Sequence, residues 1–239
     1  RVVEHLGGLG VEEVVLSLGY QPEVFLREFP DGEIAGVPVR YAVEPEPLDT
    51  GGAIAFAARE AGIDDTFLAL NGDVLTDLDV GELWRFHQKA GGAATIALTK
   101  VDDPSRYGVV PLAGDGRVEA FIEKPEPGTA PTDWINAGTY VLEPEVIDLV
   151  PAGSRRSIER EIFPHLVEQG RLFGLQAAAY WIDAGTPDAY LQAHLDLLDP
   201  LLSFFGGKAS DQKRFRQHLP QRLDQRVNLA FFVQEEIEA

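Results

Sequence analysis

The run Phe67-Leu68-Ala69-Leu70-Asn71-Gly72-Asp73 constrains this chain more than any other stretch. Its successive apolar residues leave no polar face, so a strand here is covered on both sides. Such strands belong to largely parallel sheets with helices packed on both faces. The run stops at a glycine and then presents a carboxylate. In open α/β sheets, ligands bind in the crevice beyond the carboxyl ends of the strands. A carboxylate placed there is a hard oxygen donor. Tyr180-Trp181-Ile182-Asp183-Ala184-Gly185 ends in the same way much later. Two such carboxylates suit one Mg²⁺, and Mg²⁺ suggests phosphate chemistry.

The rest of the chain alternates between strand-like and helix-like runs, as an α/β layer fold requires. Val2 to Leu9 reads as the last turns of a helix, closed by Gly7, Gly8 and Gly10. Glu13 to Leu18 and Val39 to Val43 read as strands, with a short proline-started helix at Pro22 to Phe29 between them. An alanine-rich helix is expected from Gly52 to Ala61, and another from about Val80 to Ala90. Ala94 to Val101 is a strand. Tyr107 to Leu142 turns strand-rich, with a hairpin signal at Gly114-Asp115-Gly116. Ser157 caps a helix to Gln169, Phe173 to Ile182 returns as strand, and Pro187 to Leu198 is a closing helix.

Composition then excludes several classes of function. The chain has 239 residues, 45% of them apolar and 25% charged, which suits a globular protein with a sizeable core. Its net charge of −19 argues against nucleic acid or an anionic membrane as partner. An acidic protein that binds phosphates must place its few cations locally or use a metal. Cysteine is absent, which removes disulfides, zinc thiolates and cysteine nucleophiles. That fits a reducing compartment, and we expect a cytoplasmic protein with no membrane segment. Residues 201–239 differ from the rest, with a net charge of +1 against −20 for residues 1–200. The expected domain therefore covers residues 1–199, and 200–239 reads as a helical or poorly ordered extension of unknown function.

Each motif has a plain structural reading when taken alone. Leu48-Asp49-Thr50-Gly51-Gly52-Ala53-Ile54 is a glycine-bearing loop that opens a helix, where free N–H groups face a ligand or simply a turn. Asn71-Gly72-Asp73 makes a good turn, and Asp183 is placed to cap the helix near Pro187. Phe121-Ile122-Glu123-Lys124-Pro125 ends a strand with an acid and a base, an arrangement usually spent on a solvated ion pair. Tyr107-Gly108-Val109-Val110 and Asn136-Ala137-Gly138-Thr139-Tyr140 are glycine-bearing strands, which mark close approach by a ligand or by backbone. The five histidines show no metal-site spacing. The dinucleotide fingerprint and the P-loop are both absent.

In their order, these motifs resemble the sugar-1-phosphate nucleotidyltransferases, also called NDP-sugar pyrophosphorylases. The resemblance covers about residues 1 to 198. The Glu-Pro-x-Pro-Leu-Asp-Thr-Gly-Gly-Ala-Ile form of the loop is similar to the mannose-1-phosphate guanylyltransferase branch. The resemblance implies a Rossmann-like, three-layer α/β/α, GT-A-like fold around a mixed, mostly parallel sheet. It implies joining an NTP, GTP first, to a sugar 1-phosphate, mannose 1-phosphate first, with release of pyrophosphate. Glucose-1-phosphate thymidylyl or uridylyl transfer is the alternative. By the same resemblance Asp73 and Asp183 hold Mg²⁺ and, with Lys124, form the catalytic set. Glu44, Thr50, Gly51, Gly52, Asn71 and Gly72 would meet the nucleotide. Gly108, Glu123, Lys124, Asn136, Gly185 and Thr186 would meet the sugar phosphate. A homo-oligomer is left open.

One departure qualifies the resemblance. Members of the family begin with a strand that runs into the glycine-rich loop G-G-x-G-T-R-L-x-P-L-T, which cradles the triphosphate. Gly7-Gly8-Leu9-Gly10 is not that loop, since no Thr-Arg follows. The chain begins at Arg1 and has no methionine, so it reads as a processed or partial product. We expect impaired turnover, by roughly 10³-fold, and an unpaired strand edge or a gap where the first strand belongs. Two other readings remain open. One is a glycosyltransferase, disfavoured because the strand ends Asn-Gly-Asp rather than Asp-x-Asp. The other is a non-catalytic module that binds nucleotide or sugar phosphate.

Overall fold

The computed structural model describes residues 2–204 and 228–233. Helix α1 (Val2–Gly8) leads into β1 (Glu13–Leu18), α2 (Pro22–Glu28), the short β2 (Glu33–Ile34) and β3 (Val37–Val43). Then come α3 (Asp49–Ala61), β4 (Phe67–Asn71), β5 (Val74–Thr76), α4 (Val80–Ala90) and β6 (Ala94–Lys100). The middle holds β7 (Gly108–Val109), β8 (Ile122–Glu123), β9 (Trp134–Leu142) and α5 (Glu145–Asp148). A π-helical turn at Ile158–Ile162 runs into α6 (Phe163–Glu168). The last elements are β10 (Leu172–Gln176), β11 (Trp181–Asp183), α7 (Pro187–Phe204) and β12 (Asn228–Val233).

The main sheet has the order β10-β6-β9-β4-β12-β1-β3-β2, and β5 pairs with β11 in a separate ribbon. Pairs β10–β6, β4–β12, β12–β1 and β1–β3 are parallel, while β9 runs antiparallel to both β4 and β6. The pairs β2–β3, β7–β8 and β7–β9 are antiparallel as well, so the sheet is mixed, with parallel pairing concentrated in β10–β6 and in β4-β12-β1-β3. Its strands alternate between two cores, as the period of two requires. Val15, Phe67 and Ala69 face a cluster with Ala57 and Ala58 of α3, Val146 and Ile147 of α5, and Phe163 and Leu166 of α6. Val14, Leu16, Leu18, Leu68 and Leu70 face the opposite cluster with Val3 and Leu6 of α1 and Leu83 and Trp84 of α4. These two clusters make the three layers, and both are needed to bury so apolar a strand as β4.

Several expectations change here. The sheet position between β1 and β4, expected to be a gap or an unpaired edge, holds β12. Six residues of β12 register with Glu13–Leu18 and five with Phe67–Asn71. The extension expected to be helical or poorly ordered thus contributes a strand, and α7 runs beyond residue 199 to Phe204. Helix α3 starts at Asp49 rather than Gly52, so Thr50, Gly51 and Gly52 lie in its first turn, not in a loop. Asp49 adopts φ 62, and its carboxylate accepts from the Thr50 amide at 2.8 Å, which starts the helix locally. The expected strand Phe173 to Ile182 breaks between β10 and β11. There Tyr180 donates its amide to Asp77, and Thr76 donates its hydroxyl to the Tyr180 carbonyl. These bonds pull the chain off the main sheet and onto β5.

Candidate active site

Strand β4 delivers Asp73 two residues past its end, in a tight turn into β5. Strand β11 lies antiparallel to β5 with Asp183 opposite Val74, and the Ala184 amide donates to the Asp73 carbonyl at 2.8 Å. The two carboxylates separated by 110 positions in sequence are therefore brought together. The Gly185 amide donates to Asp183 Oδ1 at 2.9 Å. A Cβ placed on Gly185 would stand 3.0 Å from Asp183 Oδ1 and 3.3 Å from Asp73 Oδ2. Both carboxylates thus border one small space that only glycine leaves open. Burial, and then the Asp183 charge, push the Asp73 carboxyl up to about 6.

Beside this pair, Trp181 donates its indole N–H to the Ala137 carbonyl at 2.9 Å and meets the Tyr107 ring edge-on at 5.4 Å. Gly108 is paired with Glu123 across β7 and β8. A Cβ on Gly108 would come within 2.6 Å of Phe121 and 3.0 Å of Glu123 Oε2. Burial raises the Glu123 carboxyl, while the Lys124 and Arg160 charges pull it back. Lys124 itself is exposed, holds φ 45, and donates its amide to the Tyr107 carbonyl. Asn136 donates to the Tyr140 hydroxyl at 2.9 Å and accepts from the Gly138 amide at 3.0 Å. Gly138, at φ 68, lets the Asn71 side chain approach to 2.9 Å of where its Cβ would be. Asn71 therefore joins this end to the Asp73 turn, and half-buried Gly72 makes the bend.

The remaining expected residues serve the chain's own packing first. Glu44 follows β3 on the same sheet edge as Asp73, separated by the positions of β1 and β12, a span of about 14 Å at the usual strand spacing. Its two oxygens accept from Ser17 Oγ and the Leu48 amide, each at 3.0 Å, so it holds its own loop in place. The open faces of Gly51 and Gly52 are filled by backbone at 154–158, not left toward a ligand: a Cβ on Gly52 would meet the Ser154 carbonyl at 2.7 Å. The Thr50 hydroxyl donates to Glu159 and accepts from the Ile158 amide. Thr186 accepts from the amides of Ala189 and Tyr190, which makes it a cap for α7.

Sequence reasoning overlooked Tyr140 and Glu159. Tyr140 is fully buried, and burial pushes its phenol well up, with the charges of Glu159, Glu123 and Asp73 adding to the shift. One phenol therefore feels the charge of three carboxylates that are far apart in sequence. The signal was faint: Tyr140 closes the Asn136–Tyr140 motif, but Glu159 lies in a segment read only as a capped helix.

Among the described residues, no group of three or more His, Asp, Glu or Cys is arranged to hold a metal. Two carboxylates are sufficient for Mg²⁺, which keeps several waters and shares substrate phosphate oxygens. The pinched, half-buried Asp73–Asp183 pair has the donor chemistry for such an ion.

Residues 1–200 match the Nucleotidyl transferase family. The chain belongs to that family. It is 41% identical over 200 residues to mannose-1-phosphate guanylyltransferase of Mycobacterium tuberculosis, covering 83% of this chain and 55% of the relative. Over 205 residues it is 40% identical to a probable mannose-1-phosphate guanylyltransferase of rice, with the same coverages. The chain thus spans about half the length of the curated relatives it matches. The crystal structure of HddC from Yersinia pseudotuberculosis superposes with a TM-score of 0.71 at 30% identity, covering 82% of this chain and 84% of that one. A second structure of HddC is complexed with GMP-PN. At 22% identity and a TM-score of 0.71, a putative glucose-1-phosphate thymidylyltransferase from Bacillus anthracis shares the fold.

Proposed function

We propose that the chain carries nucleotidyl transfer from an NTP to a sugar 1-phosphate in nucleotide-sugar biosynthesis, with GTP and mannose 1-phosphate as first substrates. The observation that carries this reading is the convergence of Asp73 and Asp183 on the face of Gly185. Two acids crowded this way suit a site where phosphate groups and a divalent ion meet. The guanylyltransferase relatives support the choice of base and sugar.

In this reaction a phosphate oxygen of the sugar 1-phosphate attacks the α-phosphorus of the NTP in line, and the bond to pyrophosphate breaks. No covalent enzyme intermediate is needed, so positioning and charge neutralisation supply the catalysis. Asp73 and Asp183 would hold a Mg²⁺, which when bound would offset the repulsion between the two anions. Glu44 has lone pairs left over to accept from the N–H edge of a guanine. Glu123 and Asn136 border the sugar end, and Gly108, with no side chain of its own, lets Phe121 and Glu123 close in beside them. Lys124 brings a compact positive charge to the sugar phosphate.

No helix among the described residues is long and apolar enough to cross a membrane. A chain without cysteine suits a reducing compartment such as the cytoplasm. Pyrophosphate release from a panel of NTPs and sugar 1-phosphates tests the proposal. GTP with mannose 1-phosphate should give the highest rate, and Asp73→Asn or Asp183→Asn should abolish it. Calorimetric binding of both substrates without any pyrophosphate release would instead identify a non-catalytic binding module.

A further inference from the structure

The first turn of α3 and the π-helical turn are fastened together at one side chain. Thr50 Oγ1 donates to Glu159 Oε2 at 2.6 Å, and Ser157 Oγ donates to the same oxygen at 2.9 Å. The Ile158 amide donates back to Thr50 Oγ1 at 2.9 Å. Around this link the backbones are in direct contact. The Gly52 amide donates to the Arg156 carbonyl and the Arg156 amide to the Leu48 carbonyl, each at 3.0 Å. A Cβ on Gly51 would stand 3.0 Å from the Arg156 carbonyl, so the junction has no slack.

Glu159 is a costly residue to use merely as a joint. Two hydroxyls solvate its carboxylate, and burial raises its pKa, with the Glu123 charge adding to the effect. An uncharged side chain would join two segments with less desolvation. Its neighbours belong to opposite ends of the site. Helix α3 follows the Glu44–Leu48 loop at the base end, while the π-helical turn runs into Phe163, whose ring meets Tyr140 edge-on at 5.2 Å and Phe121 at 5.4 Å at the sugar end. Single π-helical turns recur at functional sites, where they re-aim one side chain.

We propose that Glu159 is a positioning residue that ties the nucleobase end of the site to the sugar-phosphate end and so fixes the separation at which the two substrates bind. The proposal rests on the nucleotidyl-transfer reading, since in-line attack tolerates little error in that separation. The test uses the full chain and its Glu159→Ala, Glu159→Gln and Thr50→Val variants. Amide exchange is followed at residues 48–52 and 154–159 without ligand, and calorimetry measures affinity for Mg²⁺–GTP and for mannose 1-phosphate separately.

Glu159→Ala should speed exchange in both segments and weaken both ligands about tenfold, the scale of a coupling between sites. Glu159→Gln retains an acceptor for Thr50 and should stay near the parent in both measurements. Thr50→Val should reproduce Glu159→Ala, and the double variant should be no worse than either single one. Thr50→Val is close to isosteric and carries the same test if Glu159→Ala does not fold. Faster exchange in one segment only, loss of affinity for one ligand only, or additive effects in the double variant would overturn the proposal. If the unaltered chain binds neither ligand, the nucleotidyl-transfer reading fails, and the exchange measurement still decides whether Glu159 links the two segments.

Discussion

Asp73 carries an electrostatic penalty that a cation would remove, and this makes it testable by pH. Its carboxyl titrates at about 6 in the folded chain against an ordinary value of 3.8. The folded state therefore binds the proton more tightly than the unfolded state. Stability falls as pH rises through the window from 3.8 to about 6, and the full penalty applies above it. A shift of this size corresponds to at most about 3 kcal/mol, reduced by solvent screening. In the absence of divalent ions, Asp73→Asn should raise the melting temperature at pH 7.5, and the gain should vanish at pH 3.5. Added Mg²⁺ should stabilise the parent at pH 7.5 but not the variant. Equal melting curves for the two proteins at pH 7.5 would show that Asp73 is not strained. Gly185 gives a second test at the same scale, because an added methyl must displace one of two carboxylates at 3.0 and 3.3 Å. Gly185→Ala should weaken Mg²⁺ binding about tenfold, the usual effect of disturbing the support of a metal ligand, with little change in melting temperature. Titration calorimetry with MgCl₂ gives the answer directly.

Elements with local punctuation were legible, and elements defined by distant partners were not. Helix α4 spans Val80–Ala90, the range the sequence suggested, because Asp79 caps its start and Gly91 ends it at φ 68. Strand β4 was readable because its run is apolar on both faces. Strand β12 was not readable: Asn228–Val233 is a short apolar run in a segment of weak periodicity. Its partners Glu13–Leu18 and Phe67–Asn71 are remote in sequence, and nothing local specifies a parallel register. The site divides the same way. Asp73, Asp183 and Glu123 could be picked out because strands end in them, whereas the self-bonding of Glu44 and Thr50 depends on Ser17, Leu48 and Glu159 arriving from elsewhere. Among the described residues, strand β12 is also the one that joins the sheet halves β10-β6-β9-β4 and β1-β3-β2. A proline there removes a ladder donor from a central strand, a place from which proline is essentially excluded. Ala230→Pro should therefore lower the denaturant midpoint and speed amide exchange in β1 and β4, while exchange between β6 and β9 stays slow. Unchanged exchange in β1 and β4 would mean that β12 does not hold the sheet together.

At the scale of the whole molecule, charge opposes the proposed substrates. Residues 1–200 carry a net charge of −20, and Asp73, Glu123 and Glu159, all felt by the Tyr140 phenol, are among the acids that make it up. Nucleoside triphosphates and sugar phosphates are anions, so the long-range field slows their approach. Proteins that collect anions through a cationic surface lose affinity as salt rises, because ions screen the attraction. Here the sign is reversed at long range. Exposed Lys124 acts locally, within the Debye length of about 10 Å at 0.1 M ionic strength, and cannot offset charges spread over the surface. The association rate for Mg²⁺–GTP should therefore rise as NaCl is increased from about 10 to 150 mM, over which the Debye length falls from about 30 to 8 Å. Lys124→Ala should weaken mannose 1-phosphate binding at every salt concentration and leave the salt slope for GTP unchanged. Stopped-flow fluorescence with a labelled GTP analogue, at fixed free Mg²⁺, measures the slope. A rate that falls with salt would mean that a local cationic path, and not the net field, governs entry to the crevice beyond Asp73.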